Sequence, residues 1–166
     1  MDKILVVFEK KNNIRKKVMQ KLMESGSGGE NVHCEIVIPH RKFIRASAWL
    51  STGVQFKDFY ELVPNAEHYE YFEINNVDAE AIYQFHALQL GKKYDQAGLF
   101  FAMFLGFRSK RENPDKWFCS EINYYELLNI AKLPLPQIIQ HYVTPEMLYI
   151  MLKDLGYVPK KLSEII

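Results

Sequence analysis

The chain holds two cysteines, Cys34 and Cys119, and five histidines, and of these Cys119 is best placed for nucleophilic chemistry. It stands in Lys116-Trp-Phe-Cys-Ser-Glu121, after a charged stretch from Arg108 to Lys116 that carries Pro114 and reads as an exposed loop. From Cys119 to Asn129 the pattern is helical, with Ile122, Tyr125, Leu127 and Leu128 available for packing. A cysteine at the first turn of a helix lies beside backbone N–H groups that have no intrahelical partner and beside the positive end of the helix dipole. Both favour thiolate over thiol. The same N–H groups can bind an oxyanion. By residue type alone, Cys119 reads equally as a small hydrophobe packed in a core.

The second chemically informative stretch is Val32-His-Cys-Glu-Ile-Val-Ile38. Alternation along a strand puts His33, Glu35 and Val37 on one face and Cys34, Ile36 and Ile38 on the other. A carboxylate beside an imidazole orients the ring and supports its protonated form. The plainer alternative is a half-exposed strand end, where such residues cost little. The remaining histidines, His40, His68, His86 and His141, show no metal-ligand spacing with one another or with the cysteines, so neither a metal nor a cofactor is implied.

These residues need a scaffold, and the pattern supplies one. Ile4 to Phe8 is a short apolar run suited to a buried strand. Ile14 to Met23 is patterned as an amphipathic helix, broken by Ser25-Gly-Ser-Gly-Gly29. Val32 to Ile38, Lys42 to Trp49 and Val54 to Phe56, separated by Pro39-His40-Arg41 and Ser51-Thr52-Gly53, read as neighbouring antiparallel strands. His68 to Phe72 adds another. Asp78 is placed to cap a helix running to Leu90, with Ile82, Phe85 and Leu88 on its apolar face and Gly91 ending it. The aromatic run Phe100, Phe101, Phe104 and Phe107 fits either core or a pocket lining. Lys132 to Tyr142 carries two prolines and should be irregular. Thr144-Pro145-Glu146 then opens a last helix to about Leu155. Strand, helix, meander and further helices make an α+β arrangement.

At 166 residues, 48% hydrophobic and 14% aromatic, the chain suits one sizeable core, so a single domain over residues 1–166 is expected. Its 21 basic and 20 acidic side chains nearly cancel, which leaves no long-range field to recruit nucleic acid or an anionic membrane. The longest apolar stretch, Ala97 to Phe107, is about half the roughly 20 residues of a membrane span. Ile4 to Phe8 runs straight into Glu9, Lys10 and Lys11, unlike a signal peptide. With so few cysteines, a reducing cytosol and a soluble, cytoplasmic protein are expected.

Taken together, His33 on the first strand of a meander, Gly91-Lys-Lys-Tyr-Asp95 after a central helix, and Trp117-Phe-Cys-Ser-Glu121 opening a later helix resemble the permuted branch of the NlpC/P60 papain-like superfamily, which includes bacterial, phage and poxviral proteins. Ordinary papain-like enzymes place the cysteine helix before the histidine strand, and the permuted branch reverses that order, as this chain does. The resemblance covers roughly residues 1 to 130. It implies a circularly permuted papain-like fold, an antiparallel β meander packed against helices, and a thiol hydrolase of peptidase or amidase type. Cys119 would be the nucleophile and His33 the general base and acid, working through a thioester acyl-enzyme.

The third, orienting residue is expected to be Glu35, because the strand after the histidine offers Ser47 but no acid or amide. Tyr94 is a candidate to donate toward the oxyanion beside the Cys119 N–H, or else a core tyrosine with a solvated hydroxyl. Glu121 either faces the cleft or serves as a favourable acid in the first helical turn, and Asp95 is placed to cap the segment after it. The expected substrate is peptide-like or acyl, cell-wall peptides being common in the wider superfamily. A lipid acyltransferase or esterase of the same fold, and a binding protein that keeps the fold without turnover, stand as alternatives.

Overall fold

Strand β1 (Asp2–Lys10) is apolar on both of its faces because both faces are covered. Ile4, Val6 and Phe8 point into the main core, whereas Leu5 and Val7 point into a smaller one on the other side of the sheet. The structure is a computed structural model and describes residues 2–11, 29–99 and 115–164. The helix expected over Ile14 to Met23, the aromatic run from Phe100 to Phe107 and most of the Arg108–Lys116 loop lie outside the described residues.

Around β1 stand β2 (Asn31–Ile38), β3 (Ile44–Trp49), β4 (Gly53–Asp58) and β5 (Tyr69–Val77), with a short β8 (Lys160–Lys161) at one edge. Their order is β4-β3-β2-β1-β5-β8, with every neighbouring pair antiparallel. The expected meander of β2, β3 and β4 is therefore present, and Pro39–Arg41 forms a single 3-10 turn between the first two. Helices α1 (Ala79–Gln89), α2 (Cys119–Tyr125) and α3 (Pro145–Asp154) supply the residues that meet the sheet in the main core, among them Ile82, Tyr124, Leu148 and Leu152. The opposite face is covered by 3-10 turns over Phe59–His68, through Phe59 and Leu62, and by Leu162. The protein is thus α+β, an antiparallel sheet packed against helices. Among the described residues, no helix is long and apolar enough to cross a membrane.

The helix ends follow local chemistry. Asp78 accepts a hydrogen bond from the Ala81 N–H at 2.8 Å, and Thr144 from the Met147 N–H at 3.2 Å with Pro145 in the first turn, which satisfies donors a helix start leaves free. Lys132 to Ile139 has no regular element, as its prolines require. One packing expectation is corrected in α1. Leu88 is 80% exposed, and the buried stripe is Ala79, Ile82 and His86. His86 takes the core position because Glu126 and the Gln55 carbonyl oxygen meet its two ring nitrogens at 2.7 and 3.1 Å.

Two contacts tie distant chain segments to the sheet. Glu146, in the first turn of α3, accepts hydrogen bonds from the Glu30 N–H at 3.0 Å, the Asn31 N–H at 2.9 Å and Asn31 Nδ2 at 2.7 Å, clasping the start of β2. On the edge strand β4, Gly53 has φ +74°, and a Cβ there would overlap the Lys92 carbonyl oxygen. Only glycine lets β4 approach the turn after α1 so closely. Val54 N–H donates to the Lys92 carbonyl at 2.9 Å and Gly91 N–H to the Val54 carbonyl at 3.0 Å.

Candidate active site

The Gly53 junction sets the position of β6 (Lys93–Tyr94), which pairs in parallel with β7 (Lys116–Trp117), directly ahead of α2. Tyr94 lies opposite Trp117 in that ladder, and its hydroxyl reaches to 3.9 Å from the Cys119 sulfur. The phenol oxygen also lies against the Cys119 backbone N–H. Tyr94 and that N–H therefore lie against each other beside the sulfur, with the N–H directed at the phenol oxygen. Burial, followed by the charge of Cys119, pushes the Tyr94 hydroxyl well above its ordinary value, so it stays protonated and able to donate. Asp95 caps the segment after Tyr94, accepting from the Gly98 N–H at 2.9 Å.

Cys119 is the first residue of α2, with Phe118 in extended backbone before it. Glu121 turns back to accept from the Phe118 N–H at 3.4 Å, so the role the structure gives it is that of a helix-start acid. The helix is buried almost all round, and its polar residues Ser120, Asn123 and Glu126 carry no exposed surface. Ser120 Oγ donates to the Val143 carbonyl at 2.6 Å.

On β2 the ladder to β3 ends at Ile36 opposite Ala46. Beyond that point the Ser47 hydroxyl replaces a backbone donor, reaching the Cys34 carbonyl at 2.8 Å. Ser47 is buried, and its hydrogen bond supports β2. The Cys34 N–H is among the groups that favour the Cys119 thiolate. His33, opposite Glu9 on β1, also faces that sulfur. Its ring is 5.7 Å from the Trp49 ring, and 16% of its side chain stays exposed. Cys119 has none exposed, so the surface of this pair that meets solvent belongs to the imidazole.

The electrostatics are those of an ion pair. A hydrogen bond from the Cys34 thiol, opposed by burial and reinforced by His33, holds the Cys119 thiol well below its ordinary value. Burial disfavours the His33 cation, but the Cys119 thiolate overcomes this, with help from Glu35 and Glu9, and His33 is raised from 6.5 to about 9. Cys119 thiolate and His33 imidazolium are thus the stable pair. Glu35 Oε2 lies 3.9 Å from His33 Nε2, longer than a hydrogen bond, and neither atom has another partner. With Nε2 turned toward Glu35, Nδ1 is the nitrogen left to serve the thiol. Glu35 Oε1 receives Arg45 Nη1 at 3.3 Å, and Arg45 Nη2 also holds Glu61 at 2.7 Å.

The structure therefore brings Cys119, His33, Glu35 and Tyr94 together. Sequence reasoning did not find Cys34, Arg45 or Asn123. The signal for Arg45 was an inward-facing cation in an apolar strand, two positions from Ser47. Among the described residues, no group of three or more histidine, cysteine, aspartate or glutamate side chains is arranged to hold a metal ion.

The chain matches no protein-family model and no curated protein. Among solved structures it is similar to the crystal structure of the metalloprotein yiiX from Escherichia coli O157:H7, labelled DUF1105, with a TM-score of 0.55 and 15% sequence identity, over 82% of this chain and 69% of that one. At that identity the likeness is one of fold.

Proposed function

We propose that this protein is a thiol hydrolase, a cysteine peptidase or amidase with a permuted papain-like arrangement, in which Cys119 is the nucleophile and His33 its base and acid. The observation that carries the reading is the meeting of the β2 imidazole and the α2 thiol, each of which favours the charged form of the other, with the Tyr94 hydroxyl 3.9 Å from the sulfur. The thiolate attacks the carbonyl carbon of an amide. Charge develops on the carbonyl oxygen, where the Tyr94 hydroxyl and the Cys119 N–H stabilise it. As the C–N bond breaks, His33 gives its proton to the departing amine, leaving a thioester on Cys119. Water then gives a proton to His33 and adds to the thioester. Breaking the C–S bond releases the acid and restores the thiolate and imidazolium. Glu35, beside Nε2, orients the imidazole and supports its charged form.

A metal-dependent reading, suggested by the neighbour's title, has no such ligand group among the described residues. The test is alkylation by iodoacetamide across pH, followed by peptide mass mapping. Cys34 and Cys119 are both fully buried, so opening of the structure handicaps both and the comparison isolates their chemistry. Cys119 is expected to label selectively far below the roughly 8.5 of an ordinary thiol. Slow, equal labelling of both would overturn the proposal. Peptidoglycan fragments, ubiquitin-like conjugates and acyl thioesters, screened for an adduct on Cys119, would identify the bond attacked.

A further inference from the structure

We infer that Arg45 is a positioning residue of this site: its guanidinium, braced by Glu61, holds one oxygen of Glu35 so that the other stands beside His33. The inference rests on the reading of His33 and Cys119 as the reacting pair and adds to it a residue that acts through another. Arg45 on β3 lies opposite Val37 on β2, and Glu35 is the next residue of β2 on the same face, just past Ile36, where the ladder ends. Arg45 Nη1 donates to Glu35 Oε1 at 3.3 Å, and Arg45 Nη2 to Glu61 Oε2 at 2.7 Å, so the two ends of the planar fork are tied to two carboxylates. Glu35 Oε2, the oxygen the fork leaves over, is the one 3.9 Å from His33 Nε2. The guanidinium carbon also stands 5.7 Å from the centre of the Trp49 ring, and that ring stands 5.7 Å from the imidazole. Arg45 thus borders two neighbours of the imidazole, Glu35 and Trp49.

Burial explains why a cation is needed there. Glu35 and Arg45 are both buried, on the face of the sheet that carries Leu5, Val7 and Val37. A buried Arg–Glu pair is often no more stable than apolar groups of the same volume, so fold stability alone is a weak reason to keep this one. The β2 backbone has other supports. Ser47 holds the Cys34 carbonyl, and on the opposite face Asn123 Nδ2 donates to the Cys34 sulfur at 3.5 Å. What Arg45 fixes is the Glu35 side chain and its charge. Burial pushes the Glu35 carboxyl up, and Arg45 opposes this more than any other group, ahead of His33, while Glu9 on β1 adds to the rise. The charged and titratable groups that face Glu35 are thus Arg45 on β3, His33 and the Cys34 thiol on its own strand, and Glu9 on β1. Glu61 lies behind Arg45 on the exposed side of the 3-10 turns, so the brace is anchored at the surface.

The experiment is hydrolysis of p-nitrophenyl acetate by the full-length protein, followed by p-nitrophenolate release. The initial burst reports acylation of Cys119, and the steady state reports attack of water on the thioester. Arg45→Met, Arg45→Lys and Glu61→Gln are each made in the wild-type and in the Glu35→Gln background. Arg45→Met is expected to slow the steady state at neutral pH by about tenfold, as Glu35→Gln does, and to recover as pH rises and Glu35 ionises without its cation. In the Glu35→Gln background it adds no further loss, because a residue that acts through Glu35 has nothing left to position. Arg45→Lys keeps the charge without the fork and is expected to lose about threefold, and Glu61→Gln less. If Arg45→Met, or Arg45→Lys should the methionine chain not fold, matches wild type or costs the same factor in both backgrounds, Arg45 is structural alone and the inference fails while the hydrolase reading survives. A wild-type turnover that Cys119→Ala leaves unchanged overturns both.

Discussion

Two histidine–glutamate pairs are buried in this molecule, and they are built to different ends. His86 and Glu126 have no exposed side-chain surface and meet at 2.7 Å, and the second ring nitrogen is taken by the Gln55 carbonyl. His33 and Glu35 stand 3.9 Å apart, with Nε2 unpartnered, a thiolate near the ring and part of the imidazole open to solvent. One oxygen of each glutamate lacks a partner, so the difference lies in the rings. A ring with both nitrogens engaged locks α1, β4 and the turn after α2 together. A ring with a nitrogen in reserve can take up and give back a proton. Close geometry marks the fully buried pair here, and looser geometry the pair beside Cys119.

Substitutions can break this contrast. Cys119→Ala and His33→Ala are expected to lower turnover by about 10⁴-fold or more while leaving the fold intact, measured as kcat/KM beside the urea midpoint. Glu126→Ala strands His86 in the core and should cost about 3–5 kcal/mol of stability, read by denaturant titration, with the Cys119 labelling profile of the folded protein unmoved. If Glu126→Ala shifted that profile, the two pairs would not be separate in function.

The pH dependence sharpens the same point. The proposed reaction needs the thiolate and the imidazolium together, so kcat/KM is expected to rise through the lowered Cys119 value and fall as His33 loses its proton near about 9. Glu35 helps hold His33 high, so Glu35→Gln is expected to move the alkaline limb to lower pH and to slow turnover by about tenfold, roughly the worth of one charged hydrogen bond. An unmoved limb would remove Glu35 from the site. The smallest effect belongs to Ser47→Ala. It releases the Cys34 carbonyl and should cost about 1 kcal/mol, visible as a modest fall in melting temperature.

What could be read from the chain was what local chemistry decides. The caps at Asp78 and Thr144, the apolar run of β1 and the alternation in β2 each depend on a few adjacent residues, and each appears where its pattern put it. The Phe59–His68 turns were not legible, because Pro64 interrupts a segment whose apolar residues fit no period until the lower face of the sheet receives them. His86 was misjudged for a related reason. A histidine joins a buried stripe only when an acid from another helix meets it. Of the residues brought together in the candidate site, Cys119 stood out by its place at a helix start and His33 by its alternation with Glu35 along a strand, whereas Tyr94 was picked out by the family resemblance. Cys34, Asn123 and Arg45 were not, since their roles depend on where the β2–β3 ladder stops, and pairing register is set by the whole sheet.

The Glu146 clasp on the head of β2 has a consequence for how the protein comes into being. Asn31 and Glu146 are 115 positions apart, so a chain emerging from the ribosome makes the histidine strand long before the residue that pins it. Contacts of such long separation form late and slowly. A nascent chain that already contains both Cys119 and His33 would still lack the anchor that fixes one against the other. The head of β2, which carries His33, is therefore pinned only when synthesis has passed the start of α3.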